Sequence, residues 1–116
     1  ALRQTQVPFA VTSIAQAAAL ASLEPVAEKE LLDRVARIVD ERERVQAGLL
    51  ELGYEVPPSQ ANFVWLPLGE ATTQWAAGCE ERKVIVRAFA GSGVRVTISS
   101  PEENDRFLAA AADLKR

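Results

Sequence analysis

Histidine and methionine are both absent from the 116 residues, and cysteine occurs once, at Cys79. Without an imidazole the chain has no side chain whose ordinary pKa sits near neutrality for general-base work, and no His-based metal site. One cysteine excludes an internal disulfide and a CxxC metal or redox motif. An excess of positive charge is also lacking: 13 Lys and Arg stand against 16 Asp and Glu, for a net charge of −3 and a pI near 5.0. No global positive field therefore exists to hold a nucleic acid or an anionic membrane. The longest weakly polar run, Ala15 to Leu23, is too short and too alanine-rich to span a bilayer. The opening from Ala1 to Gln16 has no basic region followed by an apolar core and a small-residue cleavage site. A cytoplasmic location is the expectation. A chain that begins Ala1-Leu2-Arg3 with no methionine is expected to be processed, trimmed or cut from something longer.

What is present suits a globular fold. The chain is 48% apolar and 25% charged, which excludes a low-complexity or charge-driven disordered segment, and its length is that of one ordinary domain. Val7-Pro8 makes residues 1 to 11 an extended arm. Thr12 or Ser13 is a natural N-cap for a first helix to about Leu23, nearly all apolar and in need of cover on most sides. A longer helix is predicted from about Pro25 or Glu28 to Leu52. Leu31, Val35, Ile38, Val45, Leu49 and Leu52 form its stripe, with Arg42 in the one polar gap and Gly53 as the stop. Its other face carries charge, with Asp40 and Arg44 at an i,i+4 spacing. Roughly 25 residues give about 37 Å of helix, long enough to suggest that it leaned on something besides the small unit that follows.

Beyond Gly53 the period changes. Asn62 to Leu66 reads as a strand covered on both faces, Thr72 or Thr73 as the cap of a short helix to about Arg82, and Val84–Phe89 and Val94–Ser99 as two further strands. Ala90-Gly91-Ser92-Gly93 between them is a hairpin loop whose glycines are free to take positive φ. Ser100-Pro101-Glu102-Glu103 is a capping box that opens the last helix. The expected order is α-α-β-α-β-β-α, a mixed α/β (α+β) fold with a small three-stranded sheet packed on helices.

The third strand is the informative one. Its alternation puts Val94, Val96 and Ile98 on one face and Arg95, Thr97 and Ser99 on the other. An arginine on a rigid strand offers a planar fork for a carboxylate or phosphate, and Arg87 near the end of the partner strand can converge on the same anion. The competing reading is that both are solvated or paired with Glu102, Glu103 or Asp105. Gly91-Ser92-Gly93 precedes a strand and not a helix, so it reads as a turn and not a phosphate loop. Cys79, with no histidine to activate it, reads as an inert thiol, and Trp65 and Trp75 as core or domain-contact residues. Lys29, Lys83 and Lys115 lie in charged contexts, so none reads as a Schiff-base lysine.

Val94-Arg95-Val96-Thr97-Ile98-Ser99-Ser100-Pro101-Glu102-Glu103-Asn104 resembles the closing signature of histidinol-phosphate aminotransferases and their close relatives. These are pyridoxal-phosphate enzymes of the aspartate-aminotransferase fold. Pro8 to Ser13 with Ala15 to Ala18, Ala61 to Val64 and Val84 to Arg87 match in the same order, so the resemblance covers essentially the whole chain. Ala10 stands where asparagine is usual, and Ser99-Ser100 replaces the commoner Gly-Thr. The resemblance implies that residues 1–27 close the large domain. It makes residues 28–116 the small C-terminal domain of a fold-type I enzyme, with the long helix as connector. It implies that Arg95 grips the substrate's anionic end and that Arg87 assists. The Schiff-base lysine and most of the cofactor site would lie outside this chain, leaving no catalytic, cofactor-binding or metal-binding residue within it.

The leading expectation is thus a fragment, inactive alone, of a homodimeric aminotransferase. That parent would use pyridoxal phosphate to act on amino acids and 2-oxo acids, with histidinol phosphate (in histidine biosynthesis) or an aromatic amino acid as substrate. A related pyridoxal-phosphate decarboxylase and a free-standing αβ binding or dimerisation module are the alternatives.

Overall fold

The computed structural model describes residues 11–115; residues 1–10 of the expected arm, Ala10 included, lie outside them. Helix α1 spans Ser13–Ser22 and α2 Pro25–Glu51. Strand β1 covers Phe63–Leu66, a 3₁₀ turn Gly69–Ala71, and α3 Thr72–Glu81. The chain closes with β2 Arg87–Phe89, β3 Gly93–Thr97 and α4 Pro101–Lys115. The order is the expected one, and the three strands form an antiparallel sheet in the order β1-β3-β2.

The chain divides into two compact units, one ending at Val35 and the other beginning at Ala36. In the first, the Thr12 hydroxyl caps α1 by accepting from the Ala15 amide at 3.2 Å. No residue of α1 is buried, and Ile14, Leu20, Leu23, Val26, Leu31, Leu32 and Val35 are all exposed. The expected apolar stripe of α2 is therefore buried only toward its C-terminal end.

In the second unit Val45 and Leu49 of α2 pack into a core with Val64, Leu66, Val94, Val96, Ile98, Trp75, Cys79, Phe107 and Ala111. Arg42 fills the polar gap without breaking the core, because its guanidinium donates to the Ala61 carbonyl at 3.0 Å. Gly53 takes φ 78° and ends α2, and the Tyr54 amide donates to the Leu49 carbonyl at 3.0 Å. The Tyr54 ring then enters the core. Its hydroxyl donates to the Ala111 carbonyl at 2.8 Å and accepts from Trp75 Nε1 at 3.0 Å.

Several boundaries differ from the expectation. Strand β1 is not covered on both faces: Val64 and Leu66 are buried while Phe63 and Trp65 are half-buried. Neither threonine caps α3. Its N-cap is Ala71, and Thr72 is already helical, with its hydroxyl donating to the Gly69 carbonyl at 2.6 Å. Strand β2 begins at Arg87 and not at Val84. Lys83 turns through φ 62° and the Val84 amide donates to the Cys79 carbonyl, so these residues still close α3. Strand β3 stops at Thr97 because Asn104 captures the Ser99 backbone, accepting its N–H and donating to its carbonyl, both at 3.0 Å. The capping box is half-made. The Glu103 amide reaches the Ser100 hydroxyl at 3.4 Å, but the Glu103 carboxylate accepts from the Ser99 hydroxyl. Arg44 pairs with Glu41 at 2.8 Å and Asp105 at 2.7 Å, the former in place of Asp40.

Two substitutions test this packing. Tyr54→Phe strands the Trp75 N–H in the core, so denaturant unfolding should show a loss of about 1–3 kcal/mol. Gly93→Ala should cost at least as much, roughly 1–3 kcal/mol or more. A Cβ there would lie 2.3 Å from the Leu66 carbonyl oxygen, which the β-ladder holds in place.

Candidate functional site

The sheet has one face on the core and one face turned away from it. In an antiparallel ladder, residues directly opposite present their side chains to the same face. Trp65 stands opposite Arg95, Arg95 opposite Arg87, Phe63 opposite Thr97, and Phe89 opposite Gly93. The outer face therefore gathers Arg87, Arg95, Phe63, Trp65 and Phe89.

The two guanidiniums are the chemical content of this face. Arg95, at the centre of the middle strand, is half-buried, and Arg87 on the edge strand is exposed. Their α-carbons are register partners, so two like charges face each other, an arrangement that is unfavourable without an anion. None of the carboxylates considered as partners is engaged with them. Asp105 pairs with Arg44, and Glu103 accepts from Ser99. The Glu102 carboxyl is held below its ordinary range by its own backbone N–H and by the Ser100 hydroxyl. Arg95 Nε is buried with no hydrogen-bond acceptor. A buried charged donor without an acceptor is costly, and a bound anion would remove that cost.

Aromatic rings hold both cations. The Arg95 guanidinium lies 5.4 Å from the Phe63 ring centroid, and that of Arg87 lies 5.2 Å from Phe89. Trp65 and Phe89 meet with centroids 5.6 Å apart and planes at 59°. Sequence singles out the arginines and not these rings, because β1 reads as a strand covered on both faces. The available signal is the alternation of aromatic Phe63 and Trp65 with aliphatic Val64 and Leu66, which sets the two pairs on opposite faces of the strand. Gly93 likewise reads from sequence as part of the turn. Gly91 alone of the hairpin glycines has positive φ, at 72°, whereas Gly93 is the first residue of β3.

Other candidates lie elsewhere. Cys79 is fully buried on α3, and burial pushes its thiol up to about 11, away from thiolate chemistry near neutral pH. Trp75 is a core residue. Lys29 pairs with Asp33 at 2.6 Å, Lys83 is exposed, and Lys115 donates to the Gly53 carbonyl at 2.9 Å and lies over the Tyr54 ring. None occupies the apolar pocket that an amine nucleophile needs. Among the described residues, no helix is long and apolar enough to cross a membrane.

Residues 1–110 match the model of the class I and II aminotransferases. The chain belongs to that family. It is 60% identical over 111 residues to an aromatic amino acid aminotransferase of Thermobifida fusca, covering 96% of this chain and 30% of that protein. It is 53% identical over 116 residues to an aromatic amino acid aminotransferase of Streptomyces coelicolor, covering 100% of this chain and 32% of the relative. A solved structure of a Burkholderia pseudomallei protein described as an aminotransferase superposes with a TM-score of 0.71 at 30% identity. It covers 77% of this chain and 29% of that one. The chain thus spans about a third of the length of its relatives. The family generally uses pyridoxal phosphate, but the described residues do not fit that group, since none of the three lysines is placed to anchor an aldehyde.

The buried thiol gives a pH test. Its folded pKa lies above the ordinary 9.0, so its contribution to stability is complete below that pH and is lost as pH rises toward about 11. Unfolding free energy measured against pH should fall across that window, and Cys79→Ala should shrink the fall.

Proposed function

We propose that this chain is the anion-clamping part of an aminotransferase. The full-length protein moves an amino group between an aromatic amino acid and a 2-oxo acid in the cytoplasm. The observation that carries this reading is Arg95, a guanidinium with a buried, unsatisfied Nε, standing opposite a second guanidinium while Glu103 and Asp105 are bound to other partners. A substrate carboxylate fits that need. Both the amino donor and the oxo-acid acceptor bear one, so a single fork serves both half-reactions.

The division of labour follows from where the residues stand. Arg95, on the central strand with both neighbours paired, holds the carboxylate in a bidentate geometry. Arg87, on the edge strand, adds charge at the rim. The Phe63 ring, beside the Arg95 guanidinium, lends this face an apolar character suited to an aromatic side chain. The names of the relatives favour an aromatic substrate over histidinol phosphate. The amino-transfer chemistry with pyridoxal phosphate falls to residues outside this chain, and so the chain alone would not turn over. The exposed apolar residues of the first unit would pack against the remainder of the parent protein or against a second copy in a homodimer.

The test is steady-state kinetics on the full-length protein with phenylalanine, tyrosine and histidinol phosphate as donors. Arg95→Ala should lower kcat/KM for every carboxylate donor by about 2–5 kcal/mol of transition-state stabilisation. An unchanged kcat/KM would sink the assignment. A marked preference for histidinol phosphate would replace the aromatic substrate.

A further inference from the structure

The two cations of the outer face are not held equally well. Arg95 is half-buried on the central strand and stacks on Phe63. Arg87 begins a three-residue edge strand, is exposed, and lies over the Phe89 ring at 5.2 Å. Phe89 is itself 40% exposed on that edge, and its cross-strand partner is Gly93, which offers no side chain to pack against. An aromatic ring opposite a strand glycine has a gap beside it that a neighbouring ring can fill.

Trp65 fills it. Its indole reaches from β1 across the central strand, so close to Gly93 that a Cβ there would lie 2.6 Å from the ring, and it meets Phe89 at 5.6 Å. We propose that Trp65 is a positioning residue for Arg87: by lying over Gly93 it braces Phe89, and Phe89 fixes the Arg87 guanidinium where it shares an anion with Arg95. This rests on the two-arginine clamp of the preceding section and adds a specific asymmetry. Trp65 governs the rim cation and leaves Arg95, which has its own ring, in place. The chain of contacts crosses all three strands and consists of side chains that do not enter the core.

The experiment is isothermal titration of the full-length protein with 3-phenylpropionate, an aromatic carboxylate with no amino or oxo group to react, alongside steady-state kinetics. Trp65→Ala should weaken binding by about 3- to 10-fold, the scale of one lost aromatic contact. KM for aromatic donors should rise by a similar factor with kcat little changed. Trp65→Phe, which retains a ring over Gly93, should restore most of the affinity. In an Arg87→Ala background Trp65→Ala should add nothing further, whereas in an Arg95→Ala background its effect should persist. If Trp65→Ala does not fold, Trp65→Leu against Trp65→Phe carries the same comparison. Undiminished loss in the Arg87→Ala background overturns the proposal, as does wild-type affinity in Trp65→Ala while Arg95→Ala has lost it. Wild-type affinity in both arginine variants overturns the clamp itself, and the positioning role with it.

Discussion

Everything on the outer face depends on β3 being a short strand with a neighbour on each side. Because its ladder bonds run to both β1 and β2, it can neither rotate nor slip by one residue without putting Val94 and Val96 into solvent and Arg95 into the core. The burial of two valines thus decides where the arginine goes. The same register sets Arg87 opposite Arg95 and Trp65 on the other side of it. A cluster of cations and rings is assembled by apolar residues that take no part in its chemistry.

The strand is held at its far end by a polar network. Asn104 ties the Ser99 backbone to the start of α4 and donates to Glu41 of α2 at 2.8 Å. Glu41 also accepts from Arg44, which bridges to Asp105. Hydrogen bonds from Arg44 and then from Asn104 hold the Glu41 carboxyl below its ordinary range. A helix, a strand end and the next helix are thereby joined by side chains whose donors and acceptors match. The acids that follow Arg95 in sequence, Glu103 and Asp105, are committed to this network or its edge and not to Arg87 and Arg95.

Much of this was legible beforehand. The order of elements, the stop at Gly53, the inward face of β3 and the outward direction of Arg95 all follow from periods of 2 and 3.6 and from capping residues, which are local properties. The errors fell where two local signals competed. Val84-Ile85-Val86 has strand composition, but the left-handed turn at Lys83 keeps its first residue bonded to α3. Phe63 and Trp65 made β1 look wholly apolar, although only alternate residues are buried. Gly93 looked like part of a turn because glycine is frequent there. Its actual reason for being glycine is the Leu66 carbonyl and the Trp65 ring, both contributed from nearly thirty residues away.

The chain by itself determined its family, its run of helices and strands, and the direction in which Arg95 points, since a strand's two-residue period needs no partner to be read. Only the tertiary structure decided that Arg87 faces Arg95, that Glu103 and Asp105 take other partners, and that Trp65 reaches Phe89 over Gly93. Those facts rest on strand register and on the absence of a single methyl group at one crossing point. Both are set by contacts between residues far apart in sequence, which no local pattern encodes.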